Sequence, residues 1–255
     1  MFSFKQDEPV SEPREAWAPA GQRLYAIGDI HGRLDLLHKL YQRILEDAAR
    51  QGNHLDNTLI YLGDYVDRGL NSKGVIDFVS QQQPAGFKVV RLMGNHEEMF
   101  LRFLQSPTYG AGWLRLGGDA TLLSYGVAMP QGLPQKERHQ ALWQDLRSKI
   151  PPDHINFLTG LKLMYQAGDY VFVHAGIKPQ VPLQEQKASD VMWIRSEFLS
   201  WGKDHEKFVI HGHSLSGKPD MAYARIGIDT GAYATNILTC LVLEDDHRRF
   251  LSTGD

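Results

Sequence analysis

The sequence contains one cysteine, Cys240, among its 255 residues. A single thiol excludes an internal disulfide and any zinc site built on paired thiolates, and it fits a reducing compartment. No stretch approaches the roughly 18 consecutive apolar residues of a membrane span. The first residues, MFSFKQDEPVSEPREAW, lack the apolar core of a signal peptide. These absences predict a cytoplasmic protein.

No charge of one sign dominates the chain. The 27 Lys and Arg residues are balanced by 30 Asp and Glu residues, which gives a net charge of −3. This composition provides no global basic field, so we expect neither a nucleic-acid partner nor a membrane partner. A hydrophobic content of 42% is enough to bury one large core or two small ones.

Two parts of the chain differ in composition. Residues 1–20 carry three of the 12 prolines and show no apolar period, which predicts a flexible lead-in. Residues 21–255 alternate between apolar runs and polar turns, which predicts a single folded domain.

A strand, a polar turn and a helix follow one another three times in the first half of this domain. The predicted strands are RLYAI (23–27), TLIYL (58–62) and FKVVRLM (87–93). The helix after the first strand has apolar residues at helical spacing, from Leu37 to Ala48, and the second helix spans about 72–82. This order predicts βαβ crossovers and a mostly parallel, buried sheet.

Residues 106–165 are rich in glycine and proline, with helical stretches near 136–149 and 153–160. We interpret this segment as a helical, cap-like insert in the domain. Strand patterns resume at YVFVHAG (170–176), FVIHGHS (208–214), YARIGIDTG (223–231) and NILTCLVLE (236–244). The strands after residue 222 are predicted to be antiparallel partners or a second sheet, because no helix separates them.

Five apolar strands each end in a short turn that combines glycine with Asp, Asn or His. These turns are GDIHG (28–32), GDYVDRG (63–69), GNHE (94–97), HAG (174–176) and HGH (211–213). In open α/β sheets the carboxyl ends of the strands line the ligand crevice, so the five turns are expected to converge. Glycine beside each polar residue permits close approach of a ligand.

The donors in these turns are carboxylate, imidazole and amide groups, with no sulfur. They are Asp29, His31, Asp64, Asn95, His174 and His213, with His211 as the alternative in the last turn. Such a set suits Mn, Fe or Zn rather than Cu(I) or an iron–sulfur cluster. Six ligands exceed the need of one tetrahedral zinc, and a carboxylate can bridge. The pattern therefore predicts two divalent metal ions roughly 3.5–4 Å apart, with Asp64 as the bridge. Mn²⁺ is the expected ion, with Fe or Zn as the alternatives.

Cationic and acidic side chains beside these donors favour phosphate chemistry. Arg68 follows the second turn, where its guanidinium could grip two phosphate oxygens. Arg195 could supply a second clamp or could be a surface arginine beside Glu197. His96 is placed to protonate a leaving oxygen, and Asp67 could orient it.

Other polar and aromatic residues receive structural interpretations. Glu97 and Glu98 open a helix, where carboxylates complement the helix dipole. The remaining histidines are predicted to be solvated in helices or loops: residues 38, 54, 139, 154, 205 and 247. The tryptophans are expected mainly in the core or cleft walls, although stacking on a nucleobase is an alternative.

The order of these motifs resembles the PPP superfamily of metallophosphoesterases, which includes serine/threonine protein phosphatases and symmetrical diadenosine tetraphosphatases. The stretches GDYVDRGLNSKGVIDF, GNHEEMFLRFL, WIRSEFL and IDTGAY are similar to the bacterial protein-phosphatase branch. The resemblance spans roughly residues 23–243. It implies two mixed β-sheets in a sandwich flanked by helices, with a dinuclear metal site at the strand ends: the calcineurin-like phosphoesterase fold.

The resemblance also implies roles for individual residues. Asp29 and His31 would bind the first metal, Asp64 would bridge, and the second metal would be bound by Asn95, His174 and His213. His213 is selected over His211 because the metal-binding histidine of the family follows a small residue. His96 would be the general acid with Asp67 behind it, and Arg68 and Arg195 would bind the phosphate.

Three functions are compatible with these motifs and with the resemblance. The first is a protein serine/threonine phosphatase, in which a metal-bridging hydroxide attacks phosphorus directly and the substrate is a phosphoprotein or phosphopeptide. The second is a symmetrical bis(5′-nucleosyl)-tetraphosphate hydrolase, whose dinucleoside polyphosphate substrate would need a nucleobase pocket. The third, a catalytically inactive binding module, is disfavoured because every expected ligand and the acid are present.

Overall fold

Two five-stranded β-sheets form the framework in the computed structural model, which describes residues 13–52 and 54–254. The strands are β1 (Gln22–Ile27), β2 (Asp56–Tyr61), β3 (Phe87–Arg91), β4 (Met164–Ala167), β5 (Tyr170–Val173), β6 (Phe208–His211), β7 (Asp220–Ala222), β8 (Arg225–Gly227), β9 (Thr239–Glu244) and β10 (His247–Ser252). The helices are α1 (Leu34–Arg50), α2 (Ser72–Gln81), α3 (Asn95–Gln105), α4 (Gly110–Arg115), α5 (Gly118–Ser124), α6 (Gln135–Lys149), α7 (Pro152–Thr159), α8 (Ala188–Trp193), α9 (Ser196–Leu199) and α10 (Ala232–Thr235).

The first sheet has the strand order β10-β9-β1-β2-β3. Its three amino-terminal strands are parallel and are joined through α1 and α2, whereas β9 runs antiparallel to β1 and pairs with β10. The predicted βαβ crossovers are therefore present. Parallel strands of this kind place the turns after β1, β2 and β3 at one edge of the sheet.

The second sheet has the order β4-β5-β6-β8-β7. Strands β5, β6 and β8 are parallel, and the short edge strands β4 and β7 are antiparallel to their neighbours. The strands after residue 222 are thus divided: β8 belongs to this sheet as a parallel strand, while β9 and β10 complete the first sheet. The helix α10 separates them, which the sequence pattern did not predict.

The central strands of both sheets are buried on both faces, and alternate residues of each strand point to opposite sides. In β1, Leu24 and Ala26 pack between the sheets, whereas Tyr25 and Ile27 pack against the helices that cover the first sheet. The outer face of the second sheet is covered by residues of α8 and α9, including Phe198. This arrangement confirms the predicted sandwich of two mixed sheets flanked by helices.

Part of the predicted lead-in is packed. Residues 1–12 lie outside the described residues, but Ala16 and Ala18 are buried in the core between the sheets. The backbone of Trp17 is held by the carboxylate of Asp169, and Tyr170 Oη donates to the carbonyl of Ala16. Residues 13–20 therefore differ from the expected flexible segment, because small apolar side chains and backbone hydrogen bonds tie them to the second sheet.

The segment 106–165 is mostly helical. Helices α6 and α7 lie where helical stretches were predicted, and α4 and α5 precede them. Trp113, Leu122, Leu142 and Leu146 join the same hydrophobic cluster as α1 and α2. The insert is therefore packed into the main core, and its last residues lead into β4.

No helix among the described residues combines the length and the apolar character required to cross a bilayer.

Candidate metal centre

The turns after five strands meet around Asp64. One oxygen of its carboxylate lies 3.5 Å from His31 Nε2, and the other lies 3.3 Å from His174 Nε2. His174 Nε2 is also 2.9 Å from Asn95 Oδ1. The backbone N–H of His213 donates to both oxygens of Asp29 at 3.1 Å. The six predicted donors are therefore brought to one place, and each is at most 5% exposed.

Two overlapping groups of side chains could each hold a metal ion. His31, Asp64 and His96 form one group, and Asp64, His174 and His213 form the other, with the ligand atoms of each group within 4.8 Å of one another. Asp64 is common to both, as a bridging carboxylate requires. Asp29 lies beside the second group through its hydrogen bonds to His213.

Several site residues adopt the left-handed backbone conformation, which residues other than glycine rarely adopt. Among the described residues, eight other than glycine have positive φ, and five of them are predicted site residues: His31, Asp64, Asp67, Arg68 and His213. Left-handed backbone costs a non-glycine residue free energy, so it is retained where the surrounding structure fixes it.

Two glycines allow the carboxylates to approach the backbone closely. A Cβ atom on Gly94 would lie 2.1 Å from Asp64 Oδ1, and one on Gly212 would lie 2.1 Å from Asp29 Oδ1. No side chain could be accommodated at either position without displacing a carboxylate. The glycines in the GNHE and HGH turns are therefore required by space.

The electrostatics of the cluster suit bound cations. Burial, followed by the charges of Asp229 and Asp64, raises the pKa of Asp29 well above its usual value, and burial also raises the pKa of Asp64. Burial lowers the pKa of His174 strongly and that of His213 to about 3, with Arg195 adding to the latter. A neutral imidazole is the form that ligates a metal, and a bound cation would favour the ionised form of the two crowded carboxyl groups.

Two buried nitrogen atoms at the site, His31 Nε2 and His213 Nε2, have no hydrogen-bond partner among residues 13–52 and 54–254. The other ring nitrogen of His31, Nδ1, donates to the carbonyl of Val66 at 2.8 Å. This bond fixes the tautomer that leaves Nε2 free as an acceptor, as is usual for a metal-binding histidine. The residues present therefore fit a pair of divalent cations.

His96 and Asp67 form a buried pair next to this cluster. His96 Nδ1 lies 2.7 Å from Asp67 Oδ2, and His96 Nε2 lies 3.3 Å from Nη2 of Arg68. Burial alone would lower the pKa of His96, but the carboxylates of Asp64 and Asp67 outweigh it and raise the pKa. The two carboxylates thus favour the protonated form of the ring, whose Nδ1 donates to Asp67.

Arg195 lies at the same site by a different route. It precedes α9 and donates from Nη1 to the carbonyl of His213 at 3.1 Å. Its side chain is thus directed toward the candidate ligand His213, which is the position that a second phosphate clamp would require.

The two histidines of the HGH turn have different surroundings. His213 belongs to the metal-ligand group, whereas His211 packs against Phe198 and lies close to Arg225. Among the histidines predicted to be solvated, His139, His154 and His205 are instead buried. That interpretation was wrong for them because each lies against other side chains of the core or insert.

Three residues at the site were not assigned to it from the sequence. Glu97 accepts four backbone N–H groups, from Asp64, Tyr65, Val66 and Gly94, so it holds the second and third turns together. Burial, followed by the charge of Asp64, raises the pKa of Glu97 to about 8.

Asp229 and Tyr233 are the other two. Asp229 follows β8, accepts the N–H of Gly231 at 2.9 Å and raises the pKa of Asp29 through its charge. The ring of Tyr233 lies against the Arg68 guanidinium, with 4.6 Å between the ring centroid and Arg68 Cζ. The same ring makes an edge-to-face contact with the ring of His31. The IDTGAY turn carried the usual signal, a polar residue and glycine after a strand, and could have been included on that basis.

Comparisons with known proteins agree with this geometry. The sequence pattern of the family described as "Calcineurin-like phosphoesterase" matches residues 22–225. "Shewanella-like protein phosphatase 2" of Arabidopsis thaliana is 28% identical over 182 residues, which cover 61% of this chain and 46% of that protein. A symmetrical bis(5′-nucleosyl)-tetraphosphatase of Aromatoleum aromaticum is 29% identical over 156 residues, which cover 61% of this chain and 45% of the relative. The chain thus spans about half the length of these two relatives.

A solved structure shows the same fold. The cold-active protein-tyrosine phosphatase of a psychrophilic Shewanella species superposes with a TM-score of 0.59 at 17% identity, over 97% of this chain and 86% of that one. The family match covers most of the chain, and the predicted PPP-type resemblance is confirmed. The chain belongs to the calcineurin-like phosphoesterase family.

Proposed function

We propose that the protein is a phosphomonoesterase that acts on phosphoserine or phosphothreonine in proteins or peptides. The observation that carries the proposal is the buried pair of His96 and Asp67, 2.7 Å apart, which faces the guanidinium of Arg68. A serine or threonine alkoxide is a poor leaving group and needs a proton as the P–O bond breaks. A positioned acid is therefore most valuable for this class of ester.

In this proposal the chain's own residues divide the work. Arg68 and Arg195 bind the non-bridging phosphate oxygens and orient phosphorus toward the cluster. His96 holds a proton at Nε2 for the leaving oxygen, and Asp67 keeps the opposite nitrogen engaged. Two divalent cations, when bound, supply an activated water and neutralise charge on the phosphoryl oxygens.

The ligands proposed for the cations are the six donors of the turns. Asp29 and His31 would hold the first cation, Asp64 would be shared by both, and Asn95, His174 and His213 would hold the second. We propose Mn²⁺ because the donors are oxygen and imidazole nitrogen, and Fe or Zn would suit the same set. The single cysteine and balanced charge support a cytoplasmic location.

The second candidate is hydrolysis of a dinucleoside tetraphosphate, which the relative from Aromatoleum aromaticum favours. The insert does not support it well. Trp113 is fully buried, while Trp143 donates to the carbonyl of Leu104 at 3.0 Å and lies under the guanidinium of Arg147. The two tryptophans of the insert are thus already engaged with the protein.

The test is a substrate panel with Mn²⁺-loaded protein. A phosphoserine peptide, diadenosine tetraphosphate and p-nitrophenyl phosphate are compared for wild type and His96→Asn, with chelator-treated protein as the control. We expect the highest kcat/KM on the peptide. His96→Asn should lower kcat on the peptide by about 10²–10⁴ and lower it less on p-nitrophenyl phosphate, whose leaving group needs no proton.

Faster turnover of diadenosine tetraphosphate than of the peptide would favour the second candidate. An equal loss on both monoesters in His96→Asn would remove His96 as the acid. Full activity after chelation would contradict a metal-dependent mechanism.

A further inference from the structure

The carboxylate of Asp67 receives hydrogen bonds from two helices of the insert. Trp113 Nε1, in α4, lies 3.1 Å from Oδ1 and 3.0 Å from Oδ2. Thr121 Oγ1, in α5, donates to Oδ1 at 2.7 Å. With His96 Nδ1 on Oδ2, three donors surround a carboxylate that is fully buried.

We propose that Trp113 and Thr121 are positioning residues of the catalytic pair: they fix the plane of the Asp67 carboxylate and, through it, the ring of His96. The inference rests on the proposed role of His96 as the acid. It assigns a function to the insert that neither the turn motifs nor the relatives specify.

The geometry explains why a carboxylate needs this support. A carboxylate that bonds only to His96 can rotate about its Cβ–Cγ bond, and the imidazole rotates with it. Donors on both oxygens remove that freedom, so His96 Nδ1 is bonded to Oδ2 and Nε2 points toward Arg68. Orientation of this kind reduces the entropy lost on reaching the transition state.

The backbone of the turn is fixed by the same insert. The N–H of Asp67 donates to Thr121 Oγ1 at 2.9 Å, and the N–H of Arg68 donates to the carbonyl of Gly117 at 3.1 Å. Both turn residues have φ near +70°. The insert therefore stabilises the left-handed backbone that aims Asp67 at one side and Arg68 at the other.

A glycine in the insert makes room for the indole. A Cβ atom on Gly118 would lie 2.4 Å from the ring of Trp113, so even alanine would displace it. The neighbouring Gly112 differs, since its Cβ would meet only the terminal methyl of Met99, at 3.1 Å. Gly118→Ala should therefore displace the indole, and Gly112→Ala is the matched control that should leave it in place.

Trp113 also packs in the core, against Phe100 at 5.1 Å and Phe103 at 4.8 Å between ring centroids. Any change at this position can lower stability for that reason alone. The test must therefore measure a property that depends on the proton donor, and not only the amount of active enzyme.

The main variant is Thr121→Val, which preserves the shape of the side chain and removes its hydroxyl. Ser72 Oγ still accepts the N–H of Asp67, at 3.1 Å, so the backbone keeps a partner. Thr121→Ser restores the hydroxyl. Thr159→Val is the matched control, because the hydroxyl of Thr159 bonds to a carbonyl of its own helix, α7.

We expect Thr121→Val to lower kcat on a phosphoserine peptide by about 10-fold or more, with KM unchanged and a smaller loss on p-nitrophenyl phosphate. Thr121→Ser should recover most of the rate, and Thr159→Val should match wild type. Combined with His96→Asn, Thr121→Val should cause little further loss, since both act through one proton donor.

The second variant, Gly118→Ala, should show the same dependence on the leaving group, and Gly112→Ala should not. Manganese content and thermal unfolding are measured for all proteins. If His96→Asn shows a leaving-group dependence and both Thr121→Val and Gly118→Ala lose equally on the two esters, the insert is only structural and the inference fails. If His96→Asn itself loses equally on both, the proposed function fails first.

Discussion

The turns that follow the strands and the helices of the insert meet at Asp67, yet they differ in backbone and in chemistry. The turns carry charged and metal-ligating groups on strained backbone, with positive φ at Asp64, Asp67 and His213. The insert contributes an indole N–H and a hydroxyl from regular helices. Groups proposed to react thus lie in the turns or at the start of α3, whereas groups that orient them come from insert helices packed into the main core.

The largest expected effect lies on the side of the turns. Asp64→Asn should eliminate hydrolysis and reduce metal content at both positions, because a bridging carboxylate neutralises both cations. Asp29→Asn should lower metal content less, since it removes a ligand from one position only. Metal stoichiometry by mass spectrometry and activity on p-nitrophenyl phosphate measure the difference.

Asp119→Asn provides the control from the insert, where Asp119 is exposed in α5. It should leave both metal content and activity unchanged. Equal losses in the Asp64 and Asp29 variants would count against the bridging assignment.

An intermediate effect is expected for the two arginines, Arg68 in the second turn and Arg195 before α9. Arg68→Ala and Arg195→Ala should each raise KM for phosphomonoesters and weaken inhibition by phosphate by about 10–100-fold, the range for one charge-assisted contact. Lysine should not restore either one well, because a point charge does not reproduce the bidentate geometry.

Inhibition constants for inorganic phosphate check this prediction. Arg68 is the stronger case because it lies between His96 and the ring of Tyr233. An unchanged constant in Arg195→Ala would leave that residue as a surface partner of Glu197.

The smallest expected effect concerns the insert and its response to pH. His139, in α6, is buried against Gly110. Its burial and, to a smaller extent, the charge of Arg138 lower the pKa of its imidazole. The imidazole of His139 is therefore protonated more readily in the unfolded state than in the folded state. The contribution to stability is complete above about pH 6.5 and decreases as the pH falls below that value.

Thermal unfolding of wild type and His139→Gln between pH 7.5 and pH 5 measures the contribution. The variant should lose less stability on acidification, with a difference of no more than about 4 °C in Tm. His247→Gln is the control, since the His247 side chain is 84% exposed. Parallel curves for wild type and His139→Gln would show that His139 does not contribute.

The sequence was informative where a short-range rule applied. Alternating apolar residues before a glycine and a polar residue located the strand ends, and so the turns bearing Asp29, Asp64 and His174. The contacts of Trp113 and Thr121 with Asp67 could not be derived this way, because they join residues 46 and 54 positions apart without a shared motif. These contacts depend on how the helices pack, and helix packing cannot be derived from the spacing of residues along the chain.

Burial was the other property that the sequence did not reveal. His154 stands in a helix with polar neighbours, yet its ring bonds to Tyr125 Oη and Asp77 at 2.8 Å each. Proline and charge near residues 13–20 suggested flexibility, although Ala16 and Ala18 fill the core between the sheets. Local composition indicated solvent in both places, and tertiary contacts overrode it.

The position of β1 has a consequence for how the chain folds. This strand pairs with β2 on one side and with β9 on the other, so the centre of the first sheet joins residues from opposite ends of the sequence. The N–H of Ala18 likewise donates to the carbonyl of Asp245, in the hairpin between β9 and β10. During synthesis, the βαβ half would expose one unpaired edge of β1 until β9 has been made. Folding is therefore expected to be slow and to be completed only after residues 239–252 have emerged, because contacts of such long range carry a large loop-closure cost.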